Sequence, residues 1–125
     1  MLIIDDDELV LESIVLLLSV EPGLDTIRAR GSADALHHLK GSRHIDVIVA
    51  DVILSGSISG LDICEKAIEL HPAIAVVVIT ADPETHRSDV ATRGVFLRKP
   101  FGAAPLLAAI AQSQQQIPRP GHEHR

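Results

Sequence analysis

Four carboxylates in a row, Asp5-Asp6-Asp7-Glu8, follow the apolar Leu2-Ile3-Ile4 without a spacer. One acid is enough to cap a helix, and like charges this close repel, so the row asks for a second use. Asp51 stands just after the run "IDVIVA", Thr80 just after "AVVVI", and Lys99, followed by Pro100, just after Val95-Phe96-Leu97. Asp5, Asp6 and Asp51 could offer oxygen ligands to a hard divalent cation such as Mg²⁺. An Asp carboxylate can act as a nucleophile toward phosphorus. A lysine ammonium beside the metal neutralises a transferring phosphoryl group, and a threonine hydroxyl can donate to one of its oxygens. Taken singly, each residue has a plainer role: helix cap, loop acid, rim lysine, strand terminator. Their placement after successive strands is what favours the shared one.

The elements that must position these residues read as alternating strands and helices. Strands are predicted at 2–4, 25–29, 45–50, 75–79 and 95–97. Helices are predicted at 9–19, with Leu9, Ile14, Leu17 and Leu18 on the apolar face, at 33–39 capped by Ser32, and at 61–70. Two more are predicted at 84–92, short and polar, and at 103–116, with Pro105 in its first turn. Continuous apolar strands alternating with helices imply a parallel sheet covered on both faces. Right-handed crossovers make it a doubly wound α/β sheet, whose sites lie beyond the carboxyl ends of the strands. Asp5, Asp6, Asp51, Thr80 and Lys99 all fall there.

At 125 residues the chain suits one domain, 1–116, followed by a polar tail, 117–125, expected to be disordered. A hydrophobic share of 46% against 22% charged marks a globular chain, and two Phe with no Trp or Tyr make its core aliphatic. A formal charge of −6 with no basic run argues against direct nucleic-acid or anionic-membrane binding. The single Cys64, without a signal peptide or a membrane-length apolar run, points to a cytoplasmic setting; Cys64 itself reads as a small core residue.

The pieces "LIIDDDE", "VIVAD", "SGLDI", "VVVITA" and "FLRKPF", in this order and spacing, resemble the receiver domain of two-component response regulators from Leu2 to about Gln112. The resemblance implies a flavodoxin-like (βα)5 fold with strand order 2-1-3-4-5. It implies that Asp51 is the phosphoacceptor and that Asp5, Asp6 and Asp51 bind Mg²⁺, Mn²⁺ being the alternative ion, together with the backbone carbonyl of Ile53. Asp7 falls outside the metal pair and reads as a capping acid. Thr80 and Lys99 match the switch hydroxyl and the phosphate-contacting lysine, and Phe96 matches the aromatic that reorients on activation. Pro100 is a candidate for a cis peptide bond. The implied partners are a sensor histidine kinase or a histidine phosphotransfer protein, with output by protein–protein contact. The domain would catalyse only its own phosphoryl transfer and dephosphorylation. The Ala- and Leu-rich last helix suggests either a homodimer through the last two βα units or a deeper core contact.

The chain departs from the family pattern in two places. Ser55 replaces a usual proline in a loop one residue longer before Gly60, and the stretch between Thr80 and Lys99 is short, with Gly94 five residues before Lys99. This resembles receivers joined to histidine kinases or standing alone. Two other functions compete. Asp5-x-Asp7 also fits the nucleophile and acid of a haloacid-dehalogenase-type phosphatase, although only Glu123 follows Lys99 as an acid. A receiver-fold adaptor that is never phosphorylated is the other. His37, His38, His44, His71 and His86 read as solvated, and His122 and His124 as tail residues.

Overall fold

The computed structural model describes residues 1–41, 44–51, 60–80 and 94–115. The predicted helix at 84–92, the tail, Ser55, Ile53 and His86 lie outside these residues. Five strands form one sheet: β1 (Leu2–Ile4), β2 (Ile27–Ala29), β3 (Val47–Asp51), β4 (Ala75–Thr80) and β5 (Val95–Arg98). All pairs are parallel, in the order β2-β1-β3-β4-β5. The described helices are α1 (Glu8–Leu18), α2 (Ser32–Lys40), α3 (Gly60–Leu70) and α4 (Ala103–Gln115).

Strand alternation divides the sheet between two cores. Leu2, Ile4, Ile48, Ala50, Val76 and Val78 pack with Ala35 and Leu39 of α2 and with Ile63, Cys64 and Ala67 of α3. Ile3, Val47, Val49, Val77, Ile79 and Val95 pack with Leu11, Ile14 and Leu18 of α1 and with Leu106, Ala109 and Ile110 of α4. Fully burying one such Leu or Ile contributes roughly 1.5–3 kcal/mol. All six residues of β4 are buried, as a central strand covered on both faces requires. Cys64 is a core residue, and burial pushes its thiol up to about 12, so it stays protonated and unreactive at neutral pH.

Several local expectations need correction. Leu9 is 75% exposed and does not belong to the buried face of α1, which is Leu11, Ile14 and Leu18 at i, i+3 and i+7. The spacing from Leu9 to Leu11 is two residues, more than half a helical turn, so the two cannot share a face. Ser32 is not the cap of α2 but its first helical residue, buried, while Gly31 holds the cap position with extended backbone and no side-chain bond. His71 is not simply solvated: it is half-buried, and its Nε2 lies 2.8 Å from the carbonyl oxygen of Leu39, tying the end of α3 to α2. In α4, Leu106 is fully buried and Leu107 packs against the second core, so the larger apolar residues of that helix serve the fold.

Candidate functional site at the carboxyl edge of the sheet

Register brings the site together. Ile4 pairs with Ala50, so Asp5 and Asp51 are the next residues on two adjacent strands, about 4.8 Å apart in such sheets. Asp51 pairs with Ile79 and Ile79 with Leu97, which places Lys99 two residues beyond that row and on the same side of the sheet. The Lys99 amide donates to the Thr80 carbonyl at 2.7 Å, holding the start of the loop against β4. The Lys99–Pro100 peptide bond that follows is cis.

The Lys99 ammonium donates to Asp51 Oδ2 at 2.7 Å and to Asp5 Oδ2 at 3.2 Å. One cation thus bridges two carboxylates from different strands. Asp5 is 1% exposed. Its other oxygen, Oδ1, accepts from the Asp7 amide at 2.9 Å, and its own amide donates to the Ala29 carbonyl at 3.1 Å. Burial raises the Asp5 carboxyl above its ordinary value; the Asp7 amide and the Lys99 charge oppose this, and the Asp51 charge adds to it. At Lys99 burial disfavours the charge most strongly. Its hydrogen bond to Asp51 and the charges of Asp51 and Asp5 together outweigh burial and leave the ammonium above its ordinary value. The ion pair therefore wins at the lysine, while burial wins at the deeper aspartate.

Asp7 is the cap of α1. Its Oδ1 accepts from the amides of Leu9 at 3.0 Å and Val10 at 3.5 Å, satisfying donors that a helix start leaves open. That oxygen is thereby committed to helix α1. Asp6 lies exposed between Asp5 and Asp7. Among the described residues no three acidic, histidine or cysteine side chains already form a metal-holding cluster. Asp5 and Asp51 nevertheless converge on a single cation, and their oxygens are the donors a hard ion such as Mg²⁺ takes. These two carboxylates suit such an ion, and Asp6 directly follows Asp5 in the chain.

Thr80 is fully buried at the end of β4. By register it lies beside Arg98, and Val78 beside Phe96, so Thr80, Phe96 and Arg98 share the face of the sheet opposite to Asp51. Phe96 is half-buried, and the Arg98 guanidinium carbon stands 5.5 Å from its ring centroid. Sequence reasoning passed over Arg98. The signal was available, because an arginine two residues after an aromatic in a strand lies on the same side.

Similarity to known proteins extends over nearly the full length of the chain: residues 1–111 match the family model of the response regulator receiver domain. The response regulator GacA of Pseudomonas viridiflava is 34% identical over 115 residues, covering 87% of this chain and 52% of GacA. The chain thus spans about half the length of the curated relatives it matches. Among solved structures, a response regulator receiver protein from Sinorhizobium medicae WSM419 is 25% identical with a TM-score of 0.82, covering 91% of this chain and 92% of that one. A receiver domain protein from Clostridium thermocellum is 26% identical with a TM-score of 0.76, covering 92% and 93%.

Proposed function

The chain belongs to the response regulator receiver domain family of two-component systems, and on that footing we propose that it is a phosphorylation-controlled switch with Asp51 as phosphoacceptor. The observation that carries this reading is the Lys99 ammonium shared between Asp51 and Asp5. A carboxylate oxygen of Asp51 attacks the phosphorus of a phosphohistidine on a sensor kinase or phosphotransfer protein. An O–P bond forms, the N–P bond breaks, and the imidazole nitrogen leaves with the electron pair. Lys99 stays beside the product and pairs with a phosphoryl oxygen. Asp5, Asp6, Asp51 and, as the resemblance implies, the carbonyl of Ile53 would hold Mg²⁺, which would supply neutralising charge for the incoming phosphoryl group. Asp5 contributes a buried carboxylate already oriented by the Asp7 amide. Thr80 ends β4 at the same carboxyl edge as Asp51 but on the other face by register, so its hydroxyl turns over that edge to donate to the phosphoryl group, and Phe96 reorients in response. The switch shifts an existing equilibrium and is read out by protein–protein contact, a homodimer through the β4–β5 side being one form of it.

The test is incubation with a small phosphodonor and Mg²⁺, followed by locating the label. The expected result is one phosphoryl group on Asp51, absent in Asp51→Asn. Label on Asp5 would instead favour the phosphatase chemistry, and no label at all would favour the adaptor.

A further inference from the structure

Among the described residues the buried Asp5 carboxylate has one partner on each oxygen. Oδ2 accepts from the Lys99 ammonium at 3.2 Å, and Oδ1 accepts from the Asp7 amide at 2.9 Å. The torsion that turns a carboxylate about its own axis is broad, so rotamer preference does not decide which way the plane of Asp5 faces. The side chain is buried, so its protein partners decide instead. Lys99 is shared with Asp51, which it meets at the shorter distance of 2.7 Å. That leaves the Asp7 amide as the donor that serves Asp5 alone.

This amide belongs to the residue that starts α1. Asp7 has extended backbone, with φ −93° and ψ 112°. Its Oδ1 accepts from the Leu9 amide at 3.0 Å and from the Val10 amide at 3.5 Å, and its carbonyl accepts from the Leu11 amide at 3.0 Å. A side-chain bond to the amide two residues on closes a small ring that restrains the backbone of the aspartate forming it. Asp7 is thus fastened at both ends, its carboxylate to the helix and its amide to the site. We propose that Asp7 is a positioning residue for Asp5: its cap on α1 fixes the direction of its amide, and the amide holds Asp5 with Oδ2 turned toward Asp51 and the place of a divalent cation. The inference rests on the reading of Asp5 as a Mg²⁺ ligand and adds the residue that orients it.

Two plainer effects of Asp7 have to be separated from this one. A cap that only stabilises α1 changes the folded fraction and leaves the affinity of the folded chain alone. A negative charge near the ion strengthens binding whether or not it caps a helix. Asn and Ser cap about as well as Asp but carry no charge, whereas Ala neither caps nor carries charge. Comparing Asp7→Ala with Asp7→Asn and Asp7→Ser therefore cancels the charge and leaves the cap. If the loss of the cap passes to the site, it corresponds to roughly a two- to fivefold difference in affinity.

The experiment titrates the full chain and these three variants with MgCl₂ at constant ionic strength, at a temperature where all are folded, and follows the amide NMR signals. Protection of the residue 7 amide against hydrogen exchange is measured separately in chelator. Asp7→Ala should bind Mg²⁺ two- to fivefold more weakly than Asp7→Asn and Asp7→Ser, and its residue 7 amide should be less protected than theirs before any metal is added. Equal affinities in the three variants, or equal protection, would mean that the cap and the site are independent; the inference is then wrong while the ligand reading stands. If wild type binds Mg²⁺ no more tightly than Asp5→Asn, the ligand reading of Asp5 fails and takes the inference with it.

Discussion

At the level of single atoms Lys99 screens Asp5 from Asp51, and in the proposed switch it also pairs with the phosphoryl group. Lys99→Met removes two charge-assisted bonds and leaves the carboxylates facing each other. Without divalent metal at pH 7 this variant should lose about 1–3 kcal/mol of folding stability in urea unfolding. The Asp5 carboxyl is raised above 3.8 in the folded chain, chiefly by burial. A raised acid binds more protons folded than unfolded, so its ionisation takes stability away as pH climbs from 3.8 through its folded value. Below 3.8 the penalty is gone. Asp5→Asn should therefore be more thermostable than wild type at pH 7 in chelator, and the gap should close as the pH is lowered to about 3.5. A gap that stays constant with pH would mean that burial of the charge is not its cause. The raised Lys99 value has the same pH direction but the opposite sign at neutral pH, a contribution rather than a penalty. Its contribution is complete below 10.5 and disappears as pH rises through the folded value.

At the scale of elements, α1 shows how the fold separates packing from chemistry within one acidic run. Asp5 turns inward to the site, while Asp7 caps the helix. Asp7→Ala should cost about 1 kcal/mol of stability and leave Asp51 labelling at saturating Mg²⁺ unchanged. A phosphatase using Asp7 as its acid would lose turnover instead. The face of the helix gives a second contrast: Leu11→Ala should cost about 2–5 kcal/mol, whereas Leu9→Gln should stay within about 0.5 kcal/mol. Both are read from denaturant midpoints. The strands buried on both faces were legible in the sequence as nearly unbroken apolar runs, Ala75–Thr80 the clearest case, whereas the order of the five strands came from the resemblance to receiver domains. Asp5, Asp51, Thr80 and Lys99 were legible because each follows such a run. The face of α1 was not, since Leu9, Leu11, Ile14, Leu16, Leu17 and Leu18 supply apolar residues around most of the helix, and only tertiary packing chooses among them. The Lys99 bridge was also hidden: it depends on the distance between ends of non-consecutive strands, which one-dimensional spacing does not contain.

For the molecule as a whole, the two cores fix strands β1 and β3 from both sides of the sheet, and the two site carboxylates emerge where that packing ends. The charges are therefore held close by a sheet that cannot easily spread to relieve them. Their repulsion appears as reduced stability rather than as local rearrangement, and a cation bound only by the folded chain returns it. Binding to the folded state alone adds about 2.7 kcal/mol when the free ion exceeds its dissociation constant a hundredfold. Mg²⁺ should thus raise the unfolding temperature of wild type progressively with the logarithm of its concentration. The rise should be much smaller in Asp51→Asn, which keeps the sheet and loses one charge, and in Asp5→Asn. Na⁺ at equal ionic strength supplies the control, because general screening acts on all exposed charges alike. A wild-type shift no larger with Mg²⁺ than with Na⁺ would separate the packing from metal binding and leave Lys99 as the cation on which these two carboxylates depend.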